Sequence, residues 1–505
     1  MNDFLGMYMR GSYAAIKGAA KLGNSIGHAA SSAAGDYAAG KGARRGILAP
    51  GDPPPPPTAG GGYYDYRGVV DWKRTPGPLQ HAEFPLGRLL HPSKGVRQPI
   101  ALRTGDVERH VTVVGPAGSG KTRWVIVPWI VAALRAGWSV VALDVKGNLM
   151  QHVKDAVRES GQPLGLKPVV LDYNNPARSV KWNWCAELTS DRAVGGAVKA
   201  INGSKPPPHT AEHFFYRSEE ILRGLLELTA ESPNRDKTTA GRIYRILKDQ
   251  QALGRIVKAN PTSQAYPRLA DLLPLYPDQY SQETATVAAK LTALANPAIE
   301  AVTDQVGFRM RDVLQARTLV SVVARVEQDG LMAAMLGSLF VNQLLFNAYD
   351  RFANWTGVPV LVVLDEAARL QQLVDFESML SLGREAGIHG LIAVQDAAQF
   401  KDENERSVIF SNSGTLVYLP HTSALSAKLL SDRLGQHPVQ TASMSVSQSS
   451  SGWGTQRNPS WQTQMAPVLG QREISSLPFG PRSAVVHASP LIDPPFLVDI
   501  EANRP

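Results

Sequence analysis

Short apolar runs alternate with longer helical patterns in the first and last parts of the chain. Core strands are predicted at 111–114, 139–143, 168–172, 318–323, 358–364, 389–394 and 415–419. Two late strands are predicted at 483–487 and 496–500, and an entry strand at 98–102. Strands separated by helices at this spacing favour an α/β fold with a parallel sheet and helices on both faces.

The pattern changes between residues 186 and 305, where strand signals disappear and helical periodicity takes over. Apolar residues such as Phe215, Leu222 and Leu226 fall at helical spacing. Further helices are predicted at 239–258 and 282–295. The pattern predicts an all-helical domain, 186–305, inserted between two parts of the α/β domain, 63–185 and 306–505.

Residues 1–62 differ from the rest in composition. They are rich in Gly, Ala and Ser, and they end in Pro53 to Pro57 and three glycines. A proline run followed by glycines predicts a flexible linker. The residues before it form either a weak amphipathic contact with a membrane or partner, or a poorly ordered tail. A second low-complexity stretch, 443–451, predicts a mobile serine-rich loop.

Composition narrows the functional classes. The chain has 505 residues, 43% of them hydrophobic, a net charge of +8 and a single cysteine, Cys185. One cysteine excludes an intrachain disulfide and fits a reducing compartment. The positive net charge is compatible with nucleic acid or anionic lipid as a partner. It is equally compatible with a surface that is only solvated. Because no run of 18 uninterrupted apolar residues occurs, no transmembrane segment is predicted and a cytoplasmic protein is expected.

The first chemical signal follows the strand 111–114. Eight residues there match the pattern G-x-x-x-x-G-K-[ST], and an apolar helix pattern follows them: Gly115, Pro116, Ala117, Gly118, Ser119, Gly120, Lys121 and Thr122. Small residues let backbone N–H groups converge on a phosphate at a helix N-terminus. Lys121 is predicted to reach the β- and γ-phosphates of ATP, and the Thr122 hydroxyl to bind Mg²⁺.

The second signal is an acidic pair, Asp365 and Glu366, directly after the strand 358–364. Downstream of a phosphate loop, this pair predicts a Mg²⁺ ligand, Asp365, and a residue that polarises the attacking water, Glu366. Gln395 ends the next strand and is predicted to sense the γ-phosphate. Arg384 precedes that strand and forms either a finger to a neighbouring subunit's nucleotide or a surface salt bridge. Asp144 either touches nucleotide or metal, or only ends its strand.

A basic segment lies within the helical region. Arg242, Arg245 and Lys248 repeat every three residues along one side of a predicted helix. They form either a surface that follows DNA phosphates or an ordinary solvated helix face.

Taken in order, these motifs resemble the coupling-protein ATPases of type IV secretion and conjugation, from about residue 81 to 500. The resemblance rests on HVTVVGPAGSGKT, VVALDVKGN, EHFFYRSEE, VVLDEAARL, GREAGIHGLIAVQDAAQ and QREISSLP. Two features differ from the family pattern. The usual N-terminal transmembrane helices are replaced by the tail, so membrane contact is expected only through the tail or a partner. Asn148 stands where the family has an acidic residue.

The resemblance implies a RecA-like P-loop NTPase sheet with an inserted all-helical domain, assembled as a homohexamer that uses ATP and Mg²⁺. It implies an ATP-driven coupling motor that moves single-stranded DNA, with relaxase or another secreted protein, to components of a type IV secretion channel. By motif, Lys121, Glu366, Gln395 and Arg384 take the catalytic roles. A nucleotide-gated substrate receptor and a related segregation or packaging DNA pump remain alternatives; the Asp365–Glu366 pair favours a motor.

Overall fold

The computed structural model describes eight stretches of the chain. They cover residues 83–90, 99–103, 110–206, 212–371, 374–448, 455–477, 482–488 and 492–503. The predictions for the N-terminal tail and its proline linker lie outside the described residues.

Eleven described strands form one sheet whose centre is parallel. The parallel strands are β3 (His110–Val114), β4 (Ser139–Asp144), β5 (Val169–Asp172), β6 (Leu319–Val323), β7 (Val360–Leu364), β8 (Ile388–Val394) and β9 (Ser413–Tyr418). An antiparallel extension contains β1 (Glu83–Leu89), β2 (Pro99–Arg103), β12 (Ser483–Ala488) and β13 (Ile492–Asp499). The strand order is β2-β1-β13-β12-β9-β3-β8-β7-β4-β6-β5. The predicted core strands are therefore present.

Helices connect the strands and fill the segment between β5 and β6. The first two are α1 (Val127–Arg135) and α2 (Leu149–Ser160). Between β5 and β6 lie α3 (Asp191–Asn202), α4 (Glu212–Glu231), α5 (Ala240–Lys248), α6 (Gln250–Ala259), α7 (Tyr266–Leu269), α8 (Pro277–Leu294), α9 (Pro297–Thr303) and α10 (Met310–Gln315). The remainder are α11 (Val326–Ala348), α12 (Phe376–Ser381), α13 (Glu403–Asn412), α14 (Ala424–Leu434) and α15 (Gln471–Ser475).

Alternate residues of the central strands face two separate cores. On β7, Val360, Val362 and Leu364 join the core that contains the helices between β5 and β6 and α11. Leu361 and Val363 join the opposite core, beneath α1 and α2. Because both faces are covered, the strands are continuously apolar, as expected of a buried parallel sheet.

The helical segment agrees with its predicted class but differs in its boundaries. The single helix predicted at 239–258 is wrong, because the chain breaks at Asp249 (φ −110°, ψ 94°) into α5 and α6. The Asp249 carboxylate accepts a hydrogen bond from Ala252 N at 2.9 Å and so caps α6. The helix predicted to begin at 282 begins at Pro277, a favourable first helical position.

The serine-rich stretch is also corrected. Its first part, Ser443 to Gln448, belongs to β10 (Gln436–Gln448), which pairs with β11 (Thr455–Pro467) as a long hairpin. The prediction of a mobile loop is therefore wrong for these residues; residues 449–454 lie outside the described stretches. Within the stretch, Met444 and Val446 alternate with serines, a pattern that suits a strand but that the serine content concealed.

Among the described residues, one helix is long and apolar enough to cross a membrane, Gly330–Phe352. Of its most apolar 18-residue window, 78% is buried inside the protein. Its apolar character is therefore explained by packing against the sheet and the helical segment.

Candidate active site

The strand order brings four predicted site segments to one edge of the sheet. Parallel pairing places β3, β8, β7 and β4 side by side, in that order. Their carboxyl ends lead into the glycine loop, Gln395, the Asp365–Glu366 pair and Asp144 respectively. The carboxyl edge of an open parallel sheet is where ligands bind in such folds.

The glycine loop has the backbone shape of a phosphate cradle. Gly118 and Gly120 have φ values of +75° and +89°, which L-residues with side chains rarely adopt. A Cβ at Gly120 would also collide with the Trp124 ring. The Ser119 hydroxyl oxygen is buried without a hydrogen-bond partner among the described residues. An orphaned polar atom in a glycine cradle fits a site built for a polar ligand.

The helix after the loop begins with a π-turn, Thr122–Ile126, in which Val127 N donates to Thr122 O. Pro128 has no N–H to donate to Trp124 O, four residues earlier. Asn503 Nδ2 donates to that carbonyl instead, at 2.9 Å. Asn503, in the short 3-10 helix Ile500–Asn503 after β13, thus stabilises the start of the helix that follows the glycine loop.

Lys121 is folded back onto its own loop. Its Nζ donates to the carbonyl oxygens of Gly115 and, at 3.1 Å, of Pro116. Only 7% of the residue is exposed. Burial lowers the pKa of Lys121, an effect that nearby Asp365 opposes and Lys146 reinforces. The ammonium group therefore donates to carbonyl oxygens of the cradle itself. Phosphate oxygens of a bound ligand could take the place of these acceptors.

Thr122 and Asp365 meet directly. Thr122 Oγ1 donates to Asp365 Oδ2 at 3.2 Å, across 243 residues of sequence. Burial raises the pKa of Asp365, although the charges of Lys146 and Lys121 oppose the rise. A hydroxyl and a carboxylate oxygen are ligands that Mg²⁺ prefers, usually completed by phosphates and water. The two side chains therefore fit the predicted metal site.

Glu366 has an unusual backbone and a crowded carboxylate. It lies in the left-handed region (φ 59°, ψ 46°), which costs a non-glycine residue about 1–2 kcal/mol. Its Oε1 accepts from Lys146 Nζ at 2.9 Å and from Gln395 Nε2 at 3.0 Å. Partial burial alone would raise the pKa of Glu366, but the bonds from Lys146 and Gln395 outweigh it and lower that pKa.

Lys146 is the site residue that sequence reasoning missed. It follows β4, the strand beside β7, and its side chain crosses to Glu366. Asp144 holds the loop, because its carboxylate accepts from Lys146 N, Gly147 N and Leu149 N at 3.1, 2.7 and 2.7 Å. Asp144 therefore shapes its strand exit. The signal for Lys146 was the Lys-Gly pair directly after a core strand.

Arg384 lies away from this chain's own cradle. It is exposed in the turn between α12 and β8, at the amino end of β8, whereas the cradle and Gln395 lie at the carboxyl ends. His110 supports that turn: its Nε2 donates to Leu380 O and its Nδ1 accepts from Gly390 N, both at 2.9 Å. Burial lowers the pKa of His110 to about 4, and the Arg384 charge contributes.

The three basic residues of the helical segment share an exposed surface. Arg242, Arg245 and Lys248 all lie exposed on α5, while Ile243 and Leu247 are buried. Within the described part of the chain, none of the three forms an ion pair.

The described residues contain no group of three or more His, Cys, Asp or Glu that could hold a metal. Thr122 and Asp365 form a two-residue site that a ligand's own oxygens and water would have to complete.

A family model described as type IV secretory system conjugative DNA transfer matches residues 84–488, more than half of the chain. A curated relative is the conjugal transfer protein TraG of Agrobacterium fabrum (strain C58 / ATCC 33970), 22% identical over 402 residues. That alignment covers 75% of this chain and 59% of TraG. The chain thus spans less than two thirds of that relative's length.

Solved structures of the bacterial conjugative coupling protein TrwB share the fold. The unbound monoclinic form of TrwBdeltaN70 has a TM-score of 0.60 at 17% identity. The match covers 80% of this chain and 87% of that one. The complex of TrwB with ADP and Mg²⁺ has a TM-score of 0.57 at 17% identity, covering 84% and 96%. At this identity the likeness establishes the fold, which confirms the predicted RecA-like P-loop sheet with added helices.

Proposed function

The chain belongs to the type IV secretory system conjugative DNA transfer family, and we propose that it is an ATP-driven coupling motor. In this proposal it recruits single-stranded DNA, with attached relaxase or other protein, and pumps it to a type IV secretion channel. The observation that carries the proposal is the convergence of the phosphate loop, Asp365, Glu366 and Gln395 at one sheet edge. A protein that only docks substrates needs no hydrolytic carboxylate there.

Each residue has a distinct task in ATP hydrolysis. The glycine-loop amides and Lys121 bind the phosphates, and Thr122 and Asp365 would hold a bound Mg²⁺. Mg²⁺, when bound, neutralises negative charge on the phosphates. Glu366 polarises the attacking water, and Gln395 contacts the γ-phosphate. The complex of TrwB with ADP and Mg²⁺ supports nucleotide and metal binding at this fold.

The proposed assembly is a homohexamer with nucleotide between subunits. Arg384 then serves the neighbouring subunit's nucleotide, because it lies at the opposite sheet edge from its own chain's cradle. The helical segment, 186–305, contacts the DNA-bound substrate and lies between motor parts 63–185 and 306–505. The chain works in the cytoplasm, and the tail or a partner brings it to the inner face of the membrane.

Steady-state ATP hydrolysis by the purified chain, with and without single-stranded DNA, tests the motor. We expect DNA to stimulate hydrolysis strongly and Lys121→Ala to abolish it. Glu366→Gln should bind ATP but hydrolyse it at least about 100-fold more slowly, since general-base catalysis is worth about 10²–10⁴. Normal turnover by Glu366→Gln would remove that residue from its role.

The same measurement distinguishes the receptor alternative. A receptor binds the relaxase–DNA substrate only when ATP is present. It hydrolyses ATP slowly whether or not DNA is added. Tight, ATP-dependent substrate binding with no DNA stimulation would therefore contradict the motor and support the receptor.

A further inference from the structure

The Glu366 carboxylate is held on both sides by neighbouring strand ends. Gln395, after β8, and Lys146, after β4, both donate to the same oxygen, Oε1. Arg369 Nε lies 3.9 Å from the other oxygen, and the side chain is only 13% exposed. A carboxylate oxygen offers two lone pairs, and here both lone pairs of Oε1 are used. An attacking water has no acceptor at that oxygen until one donor leaves.

Lys146 has a fixed backbone and a half-exposed side chain. Asp144 accepts hydrogen bonds from three N–H groups of its loop. Gly147 has φ +75°, and a Cβ there would lie 2.6 Å from Arg325 Nε, so the loop has little space to shift. The Lys146 side chain, by contrast, is 46% exposed. The loop therefore holds a partly solvent-exposed ammonium group against the end of β7.

A second feature indicates where that ammonium group can go. Lys146 Nζ lies 2.9 Å from Glu366 Oε1, and the adjacent Asp365 accepts from Thr122 of the glycine loop at 3.2 Å, so the ammonium group lies beside the cradle. Two lysines beside a glycine cradle attract phosphate more strongly than one. Lys121 is bound to the cradle's carbonyls, and of the two cations that face Glu366, Lys146 makes the shorter contact, 2.9 Å against 3.9 Å for Arg369.

We propose that Lys146 is a positioning residue that restrains Glu366 until a nucleoside triphosphate occupies the cradle. The Lys146 ammonium group then exchanges its ion-pair partner, moving from Glu366 to the γ-phosphate, and Oε1 of Glu366 regains a lone pair that can accept from water. A nucleoside diphosphate has no γ-phosphate and leaves the ion pair in place. The inference rests on the proposed ATPase function and deepens it.

A double-mutant cycle on binding tests the exchange. The probes are adenylyl imidodiphosphate, which is not hydrolysed, and ADP, each with Mg²⁺, measured by calorimetry on the full chain. If triphosphate binding must break the Lys146–Glu366 pair, Glu366→Gln should tighten triphosphate binding. That gain should be lost in a Lys146→Met background, and ADP affinity should change little in every variant. A coupling of about tenfold is expected for a close ion pair.

Two matched variants serve as controls for the double-mutant cycle. Lys146→Arg keeps the charge and should preserve triphosphate-over-diphosphate discrimination, which Lys146→Met should reduce. Lys154→Met, an exposed lysine on α2, removes the same charge outside the site and should leave discrimination unchanged. Unfolding midpoints confirm that each variant folds.

The outcomes separate this inference from the proposed function. Equal tightening by Glu366→Gln in both backgrounds would overturn the role of Lys146, provided that wild-type chain hydrolyses ATP with DNA stimulation. Unchanged discrimination in Lys146→Met would overturn it as well. A wild-type chain that binds neither probe would instead contradict the proposed function.

Discussion

Glu187 is a buried carboxylate outside the active site, and only 3% of it is exposed. Its Oε1 accepts from Met310 N at 3.2 Å, which ties the segment after β5 to α10. Burial raises the pKa of Glu187 from 4.5 to about 7, against the lowering effects of that hydrogen bond and of Arg309. At neutral pH the folded chain therefore retains a proton that the unfolded chain has released.

The sign of the pH dependence follows from that difference. Between about pH 4.5 and 7 the folded state binds more protons, so the free energy of unfolding falls as pH rises. Glu187→Gln keeps the acceptor oxygen and removes the titration. We expect it to stabilise the chain by about 2 kcal/mol at pH 8 and by little at pH 5. Urea unfolding at both pH values measures this.

The exposed Glu159→Gln serves as the matched control and should change the free energy of unfolding little at either pH. A Glu187→Gln gain that is equal at pH 5 and pH 8 would contradict the buried-proton explanation.

At the residue scale, sequence reasoning proposed groups whose signals are local, and the structure places them at one edge of the sheet; their catalytic roles stay predictions. Lys121 and Thr122 belong to a contiguous loop pattern, and Asp365 and Glu366 follow an apolar strand. Lys146 was missed because its role depends on β4 lying beside β7, which no spacing along the chain reveals. The sequence indicated that a polar loop follows β4, but not which carboxylate its lysine would reach.

At the element scale, periodicity located most helices and strands but not their ends. The break between α5 and α6 depends on one capping side chain, Asp249, inside a continuous helical pattern. The hairpin strands β10 and β11 were missed because their antiparallel pairing is a cross-strand contact that the serine-rich composition does not indicate. In both cases a local hydrogen bond or a cross-strand contact outweighed composition.

Helix α5 carries the prediction that belongs to this scale. Replacing Arg242, Arg245 and Lys248 together by Gln should weaken binding of single-stranded DNA. Each phosphate contact on a single strand contributes about 0.7 to the slope of log affinity against log salt. Loss of three contacts should therefore flatten that slope by about 2. Fluorescence anisotropy with labelled oligonucleotide, over a range of salt concentrations, measures both effects.

A control must remove equal charge elsewhere. Lys154, Arg158 and Lys167 lie exposed on α2 and the loop after it, which cover the opposite face of the sheet from the helical segment. Their triple replacement by Gln should leave the salt slope near the wild-type value. If both triple variants behave alike, α5 is an ordinary solvated surface.

At the scale of the whole molecule, the order of predicted helices and strands along the chain indicated the α/β fold class. It did not indicate that the inserted helices share a core with the sheet. The helices between β5 and β6 were expected to form an inserted domain. Their apolar residues join one continuous core with α11 and one face of the sheet; Leu222 and Phe340 both belong to it. Periodicity shows which side of a helix is buried, but not which element covers that side. The boundaries 186 and 305 therefore stay predictions.

The position of Arg384 gives the last prediction, which concerns the assembly. Because Arg384 lies at the amino end of β8, it cannot complete its own chain's site without crossing the sheet. In a ring, Lys121→Ala chains still supply Arg384, and Arg384→Ala chains still supply a phosphate loop. Each variant alone should be inactive, whereas a random mixture should restore about a quarter of the sites. ATP hydrolysis in the presence of single-stranded DNA measures the recovery.

Mixing Lys121→Ala with Glu366→Gln provides the control, because both residues act in one chain's site and no recovery is expected. Failure of the Arg384→Ala mixture to exceed that control would return Arg384 to a surface role.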